Sequence, residues 1–273
     1  MVVRAAVLIL LLMLTGTAVA AASRSRCLAC HAVHYADQGG CVVCHRGNPA
    51  TSRKELAHSG IIIGRYASFA DPTSPMLRAG FKLAEQYACR RCHLLNGTGN
   101  RLAANLDRLL WTSQPSLIRT ALTDPALYMP AFHFADTDLD RLIMAILAGG
   151  AKSGKVVREP PQVVHFSSKA TDDRHLFVKQ CGACHKLLSQ RDGGLGEGTV
   201  GPNLSGLLSR FYPPTFEENK SWDTERLRRW LKNPRAIRRE TLMWPVLLKP
   251  EEFEQLIKTF QLSESFSQTE AIK

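Results

Sequence analysis

The chain has 273 residues, 45% of them hydrophobic and 22% charged, a globular composition that excludes a disordered polymer and a multi-spanning membrane protein. Without a leader its length suits one or two domains, and its formal charge is +11, from 35 Lys and Arg against 24 Asp and Glu. Its eight cysteines are the most informative part of the composition, because of how they are spaced.

The first predicted element is a leader. Met1 to Arg4 precede an apolar run from Ala5 to Leu14, and Ala18-Val19-Ala20 is a small-residue cleavage signal. Residues 1–20 therefore read as a signal peptide cut near Ala20, with a mature start near Ala21. The run falls short of the ~18 apolar residues of a spanning helix, although Ala-rich flanks leave an uncleaved anchor as the alternative. Arg24-Ser25-Arg26, ahead of Cys27, does not suit a lipoprotein signal.

All eight cysteines fall in four copies of Cys-x-x-Cys-His: Cys27-Cys30-His31, Cys41-Cys44-His45, Cys89-Cys92-His93 and Cys181-Cys184-His185. Given nine histidines in the chain, four coincidences have a chance on the order of one in a million. The pattern is that of c-type haem attachment, with two thiols adding to the porphyrin vinyls and the imidazole taking the fifth position on iron. Four covalently bound haem c groups are expected. A four-thiolate zinc knuckle at Cys27, Cys30, Cys41 and Cys44, or four disulfides, would use the cysteines but leave the recurring histidine unexplained. Such haems are attached outside the cytoplasmic membrane, so motifs and leader together predict a periplasmic protein, with peripheral membrane association left open. Two propionates per haem bring the holoprotein nearer neutrality, which excludes a nucleic-acid face. Lys and Arg are then read as neutralising propionates or steering an acidic redox partner.

Three modules follow. Residues 21–73 hold two motifs in too little chain for a conventional core, with Gly39-Gly40 and Gly47-Asn48-Pro49 as turns, and read as a dihaem segment organised by its porphyrins. Residues 74–150 open with helical spacing at Met76, Leu77, Phe81, Leu83, Ala84 and Tyr87. They close with a helix capped around Asp136-Thr137-Asp138, with Leu139, Leu142, Ile143, Ile146 and Leu147 on one face and Gly149-Gly150 as its stop. Residues 151–171 read as a linker. Residues 172–262 repeat the order: Leu176, Phe177 and Val178 before Cys181, then a terminal helix from Pro250 with Phe253, Leu256, Ile257 and Phe260 on one face. Residues 263–273 form a polar tail.

The second and third modules each resemble class I cytochrome c, a small helical fold whose terminal helices cross near the haem edge. In the third module the likeness rests on Gly201-Pro202-Asn203-Leu204, Leu227, Trp230-Leu231-Lys232-Asn233-Pro234 and Met243-Trp244-Pro245. In the second it rests on Ala104-Asn105-Leu106, Leu117, Leu122, Asp124-Pro125 and Met129-Pro130-Ala131-Phe132. The resemblance implies Met129 and Met243 as distal ligands of the third and fourth haems. It also implies a carbonyl from Pro202 holding the proximal ring, with Ala104 in that place in the second module. Trp244, between Met243 and its proline, departs from the family pattern. Met144, mid-helix with no motif around it, is expected to be core.

For the first two haems the candidates are His34, His58, His133, His165 and His175. His34 follows His31 too closely to reach round the same porphyrin, so it is assigned to the haem at Cys41, and His58 to the haem at Cys27. This segment resembles bis-histidine haem pairs of small multihaem cytochromes. His165 is the substitute, and His133 and His175 are read as propionate or surface residues.

The expected fold class is mainly α: a dihaem segment, then two tandem class I cytochrome c-like domains. Saturated iron favours electron transfer over catalysis, between a membrane quinol-oxidising complex and a downstream reductase or cytochrome. The alternative is a haem-containing reductase, or its cytochrome subunit, with one open iron. Met ligation raises the potential relative to bis-His, so the N-terminal pair is expected to feed the two later haems.

Overall fold

The computed structural model describes residues 25–126, 128–153 and 175–262. The expected leader, His165 and the tail lie outside these residues, as does the linker apart from 151–153. The described residues are mainly α-helical, with one short hairpin among them. The helices are α1 (Cys41–His45), α2 (Lys54–Ala57), α3 (Gly64–Ala67), α4 (Pro75–Gln86), α5 (Leu109–Thr112), α6 (Pro115–Thr123), α7 (Asp136–Ser153), α8 (Leu176–Cys181), α9 (Thr224–Lys232), α10 (Pro234–Ile237) and α11 (Pro250–Phe260). Strands β1 (Leu187–Ser189) and β2 (Gly193–Leu195) pair antiparallel, Leu187 opposite Leu195. Among the described residues no helix is long and apolar enough to cross a membrane.

The first core is built on α4 and α7. Helix α4 starts where Ser74 Oγ accepts the Leu77 amide at 3.4 Å and Pro75 takes the first helical position. Its buried residues Leu77, Gly80 and Ala84 recur at helical spacing and face α7. The helices touch at Gly80, where a Cβ would collide with the Arg141 carbonyl and press on Ala145. Helix α7 buries an unbroken run, Leu139 and then Leu142 to Leu147, with Met144 in the core. Its two glycines do not stop it: the helix continues to Ser153. They sit where the helix runs against the backbone and side chain of Asp107 and against Leu110, so small size is what those positions require.

Ile62, Tyr66 and Phe69 lie before the boundary drawn at 73/74, yet they are buried in this same core. An ion-pair cluster pins them: Arg65 Nε donates to Asp140 Oδ2 at 2.7 Å, and Arg119 binds the other Asp140 oxygen and the Tyr66 hydroxyl. Asp140 is buried and its two oxygens are shared by two arginines, so removing one weakens the cluster and removing both would leave an uncompensated buried charge.

The second core joins α8, the hairpin, α9 and α11, with Phe253, Leu256, Ile257 and Phe260 buried as their spacing predicts. Phe177 of α8 meets Phe260 of α11 edge-on at 6.0 Å. Two caps set the stretch between. Asp223 Oδ1 accepts the Arg226 amide at 2.7 Å to start α9, and Asn233 Oδ1 accepts the Ala236 amide at 3.2 Å to start α10.

Gly80→Ala tests the first crossing. Alanine gains about 1 kcal/mol of helix propensity, but the added methyl forces α4 off Arg141. A net loss of about 1–3 kcal/mol is expected from overpacking, read as a lower denaturation midpoint.

Candidate functional site

The third motif lies just beyond α4 and opens onto an apolar cavity of about 400 Å3. Cys89, Cys92 and His93 line one part of its wall, with Met129, Leu142 and Ile146 elsewhere on it. His93 Nδ1 lies 2.7 Å from the Ala104 carbonyl. A carbonyl can only accept, so Nδ1 carries the proton and Nε2 keeps its lone pair free for a ligand. Burial lowers the His93 pKa, against a smaller raising effect of the Ala104 bond, so the ring is neutral. Burial also pushes the Cys89 thiol up to about 11, which keeps it a protonated thiol at neutral pH. Behind His93, the buried Asp107 carboxylate accepts the amides of Asn96 at 2.6 Å and Gly97 at 2.7 Å and clamps the loop.

The fourth motif repeats the arrangement. His185 Nδ1 donates to the Pro202 carbonyl at 2.8 Å, and a Cβ at Gly201 would collide with the imidazole. Burial pushes the Cys181 thiol up to about 12. Met243 lies in the non-helical stretch between α10 and α11 and packs on the second core. Its sulfur accepts the Trp230 indole N–H at 3.0 Å. Trp244 points outward, 74% exposed, beneath the Arg235 guanidinium 5.1 Å away, so the residue inserted before Pro245 adds a surface contact without displacing Met243 from the core.

The first two motifs have a different setting. No residue from 25 to 61 is buried, while Leu28, Val33, Tyr35, Val43 and Leu56 expose apolar surface. Within this coreless stretch the histidines stand in pairs. His31 and His58 have ring centroids 5.9 Å apart, and His34 and His45 have theirs 5.7 Å apart. His45 Nδ1 donates to the Ile62 carbonyl at 2.9 Å, and Ile62 returns its own amide to the His45 carbonyl at 2.7 Å. Arg46 then donates to the Leu110 carbonyl and lies over Trp111, tying the second motif to the first core.

Of the other histidines, His133 is exposed, and His175 caps α8 and faces Asp192 at 3.6 Å. No two of the eight cysteines are joined in a disulfide. Among the described residues no three His, Cys, Asp or Glu side chains converge as a zinc site requires. The sequence does not single out Ile62, Arg46, Arg91 or Tyr128, and it marks Asn203 only within the Gly201–Leu204 stretch, without its partners. Of the first four, Arg91 alone lies inside a motif. Comparison with family models, curated proteins and solved structures finds no match to this chain.

Asp107→Ala should cost about 3 kcal/mol by stripping a buried acceptor from two amides. Hydrogen exchange at Asn96 and Gly97 should rise while the second core keeps its protection.

Proposed function

We propose that the chain is a tetrahaem c-type cytochrome of the periplasm that transfers electrons, built as a dihaem segment followed by two class I cytochrome c-like modules. The observation that carries this reading is the pairing His31–His58 and His34–His45. One metal between two imidazoles separates their centroids by about 6 Å, from two ~2 Å metal–nitrogen bonds and the ring radii. The pairs stand at that distance, and His34 is matched with the second motif rather than its own.

The rest of the geometry supports the same group. Three motif histidines hold Nδ1–H against a carbonyl, the orientation that leaves Nε2 for iron. In the second module the space between attachment side and distal loop is apolar. It is wide enough for a large apolar occupant, which would remove its lining from water. A porphyrin supplies four iron ligands, so two protein ligands suffice. In the N-terminal segment two porphyrins would supply the apolar interior that residues 25–61 lack.

Cys27, Cys30, Cys41, Cys44, Cys89, Cys92, Cys181 and Cys184 would attach the four haems. His31, His45, His93 and His185 would be proximal, and His58, His34, Met129 and Met243 distal. When bound, each haem supplies a one-electron iron couple. The protein's part is to orient each imidazole and exclude water, with Trp230 holding the Met243 sulfur. With a histidine and either a second histidine or a methionine for each haem, no iron would be left open, and the chain would serve as a carrier rather than an enzyme. It would take electrons from a membrane quinol-oxidising complex and deliver them to a reductase or another cytochrome. With His31, His58, His34 and His45 holding iron in the N-terminal segment and Met129 and Met243 in the later modules, the later modules would have the higher potentials and electrons would pass toward them.

Mass spectrometry of the mature protein should give apoprotein from about Ala21 plus four haems resistant to acid-acetone. Fewer haems, or stoichiometric zinc, would overturn the reading. Met129→Ala should remove about half the near-infrared Met–iron absorbance and lower one midpoint potential. His34→Ala and His58→Ala should each create one carbon monoxide site that the parent lacks.

A further inference from the structure

The third and fourth sites meet at one residue. Asn203 belongs to the loop that braces His185 through the neighbouring Pro202 carbonyl. Its side-chain Nδ2 donates to the Tyr128 carbonyl at 2.8 Å, one residue before Met129. Its backbone carbonyl accepts Arg91 Nη1 at 3.2 Å, from between Cys89 and Cys92, and the Tyr212 hydroxyl at 3.2 Å. Its Oδ1 accepts the Ser205 amide at 2.9 Å and shapes the loop itself.

The surroundings leave little room for sliding. Arg91 lies 5.6 Å from the Tyr212 ring centre, and Asn100 Nδ2 donates to Ser209 Oγ at 2.8 Å. At Gly194 a Cβ would strike the Tyr128 ring. Gly206, at φ +72°, lets the loop pass against the Arg91 carbonyl and Asn100. An ordinary domain contact exchanges side chains on exposed faces. Here the bonds fall on backbone groups next to the residues that would hold iron on both sides.

The geometry points to Asn203 as a positioning residue shared by two sites. It ties the Met129 loop and the attachment turn of the third site to the proximal loop of the fourth, so the ligand geometry at either depends on the other. The coupling is reciprocal, as any linkage between two equilibria must be. The proposal rests on the tetrahaem reading for its spectroscopic consequence, but not for the mechanical one.

The test uses the full holoprotein and two conservative variants. Asn203→Asp keeps the oxygen that accepts the Ser205 amide and loses the donor to Tyr128. Arg91→Lys keeps the charge and loses the guanidinium fork. Asn203→Asp should raise amide exchange at Tyr128 and Met129 about tenfold, the factor for ~1.4 kcal/mol, near the upper end of one net hydrogen bond. In a Met243→Ala background, where the remaining near-infrared band reports Met129 alone, it should also shift or weaken that band. Arg91→Lys should raise exchange across Gly201 to Leu204 and move the midpoint of the fourth haem. If Asn203→Asp leaves exchange at Tyr128 and Met129 unchanged, the proposal fails, whatever the haem content. If exchange responds but the purified chain carries no haem, the junction stands and the electron-transfer reading falls.

Discussion

A hydrogen bond from a histidine Nδ1 to a backbone carbonyl is the interaction on which the molecule's chemistry depends. It occurs at His45 with Ile62, at His93 with Ala104 and at His185 with Pro202. Each carbonyl comes from well down the chain, so each bond closes a loop that places apolar residues opposite the motif. The bond also settles the tautomer, because a carbonyl has no proton to give. An imidazole without that partner would turn or titrate, and its second nitrogen would have no fixed direction. The same brace occurs at three of the four motifs, and at His45 its acceptor, Ile62, is itself held in the first core.

Patterns of short range are the most legible in the sequence. The α11 face of Phe253, Leu256, Ile257 and Phe260 is read from spacing alone, and so is the apolar spacing from Met76 along α4. Gly149 and Gly150 read as a stop because glycine after an apolar helix usually ends it. Their real constraint is the approach of Asp107 and Leu110, which no local pattern carries. The β1–β2 hairpin escapes sequence reading for a related reason: two three-residue strands give too short a period to register. Ala104 shows the opposite case. A carbonyl is common to every residue, so losing the proline ring there leaves the His93 bond intact at 2.7 Å.

The site is legible as residue types and less so as partnerships. The placing of His34 beside the second motif follows from the short reach past His31, and its ring stands 5.7 Å from that of His45. Arg46 and Arg91 could not be paired in this way, because their acceptors are backbone carbonyls of Leu110 and Asn203, which have no sequence signature. Both arginines act alike, since each leaves a motif and anchors it to the module that comes next. The modules are therefore linked in series by cationic side chains on main-chain oxygens, contacts that tolerate change in the facing side chains.

The burial of Ile62, Tyr66 and Phe69 beneath α7 has a consequence for the order in which the chain can fold. Synthesis presents the N-terminus first. These three side chains then have nothing to cover them until residues 139–147 have been made, and the contact is of long range, which slows closure. The first two motifs thus stay on an unanchored stretch of chain while the third is still emerging. Residues 62–69 acquire their packing only after α7, about seventy residues further on, although before the second core can form.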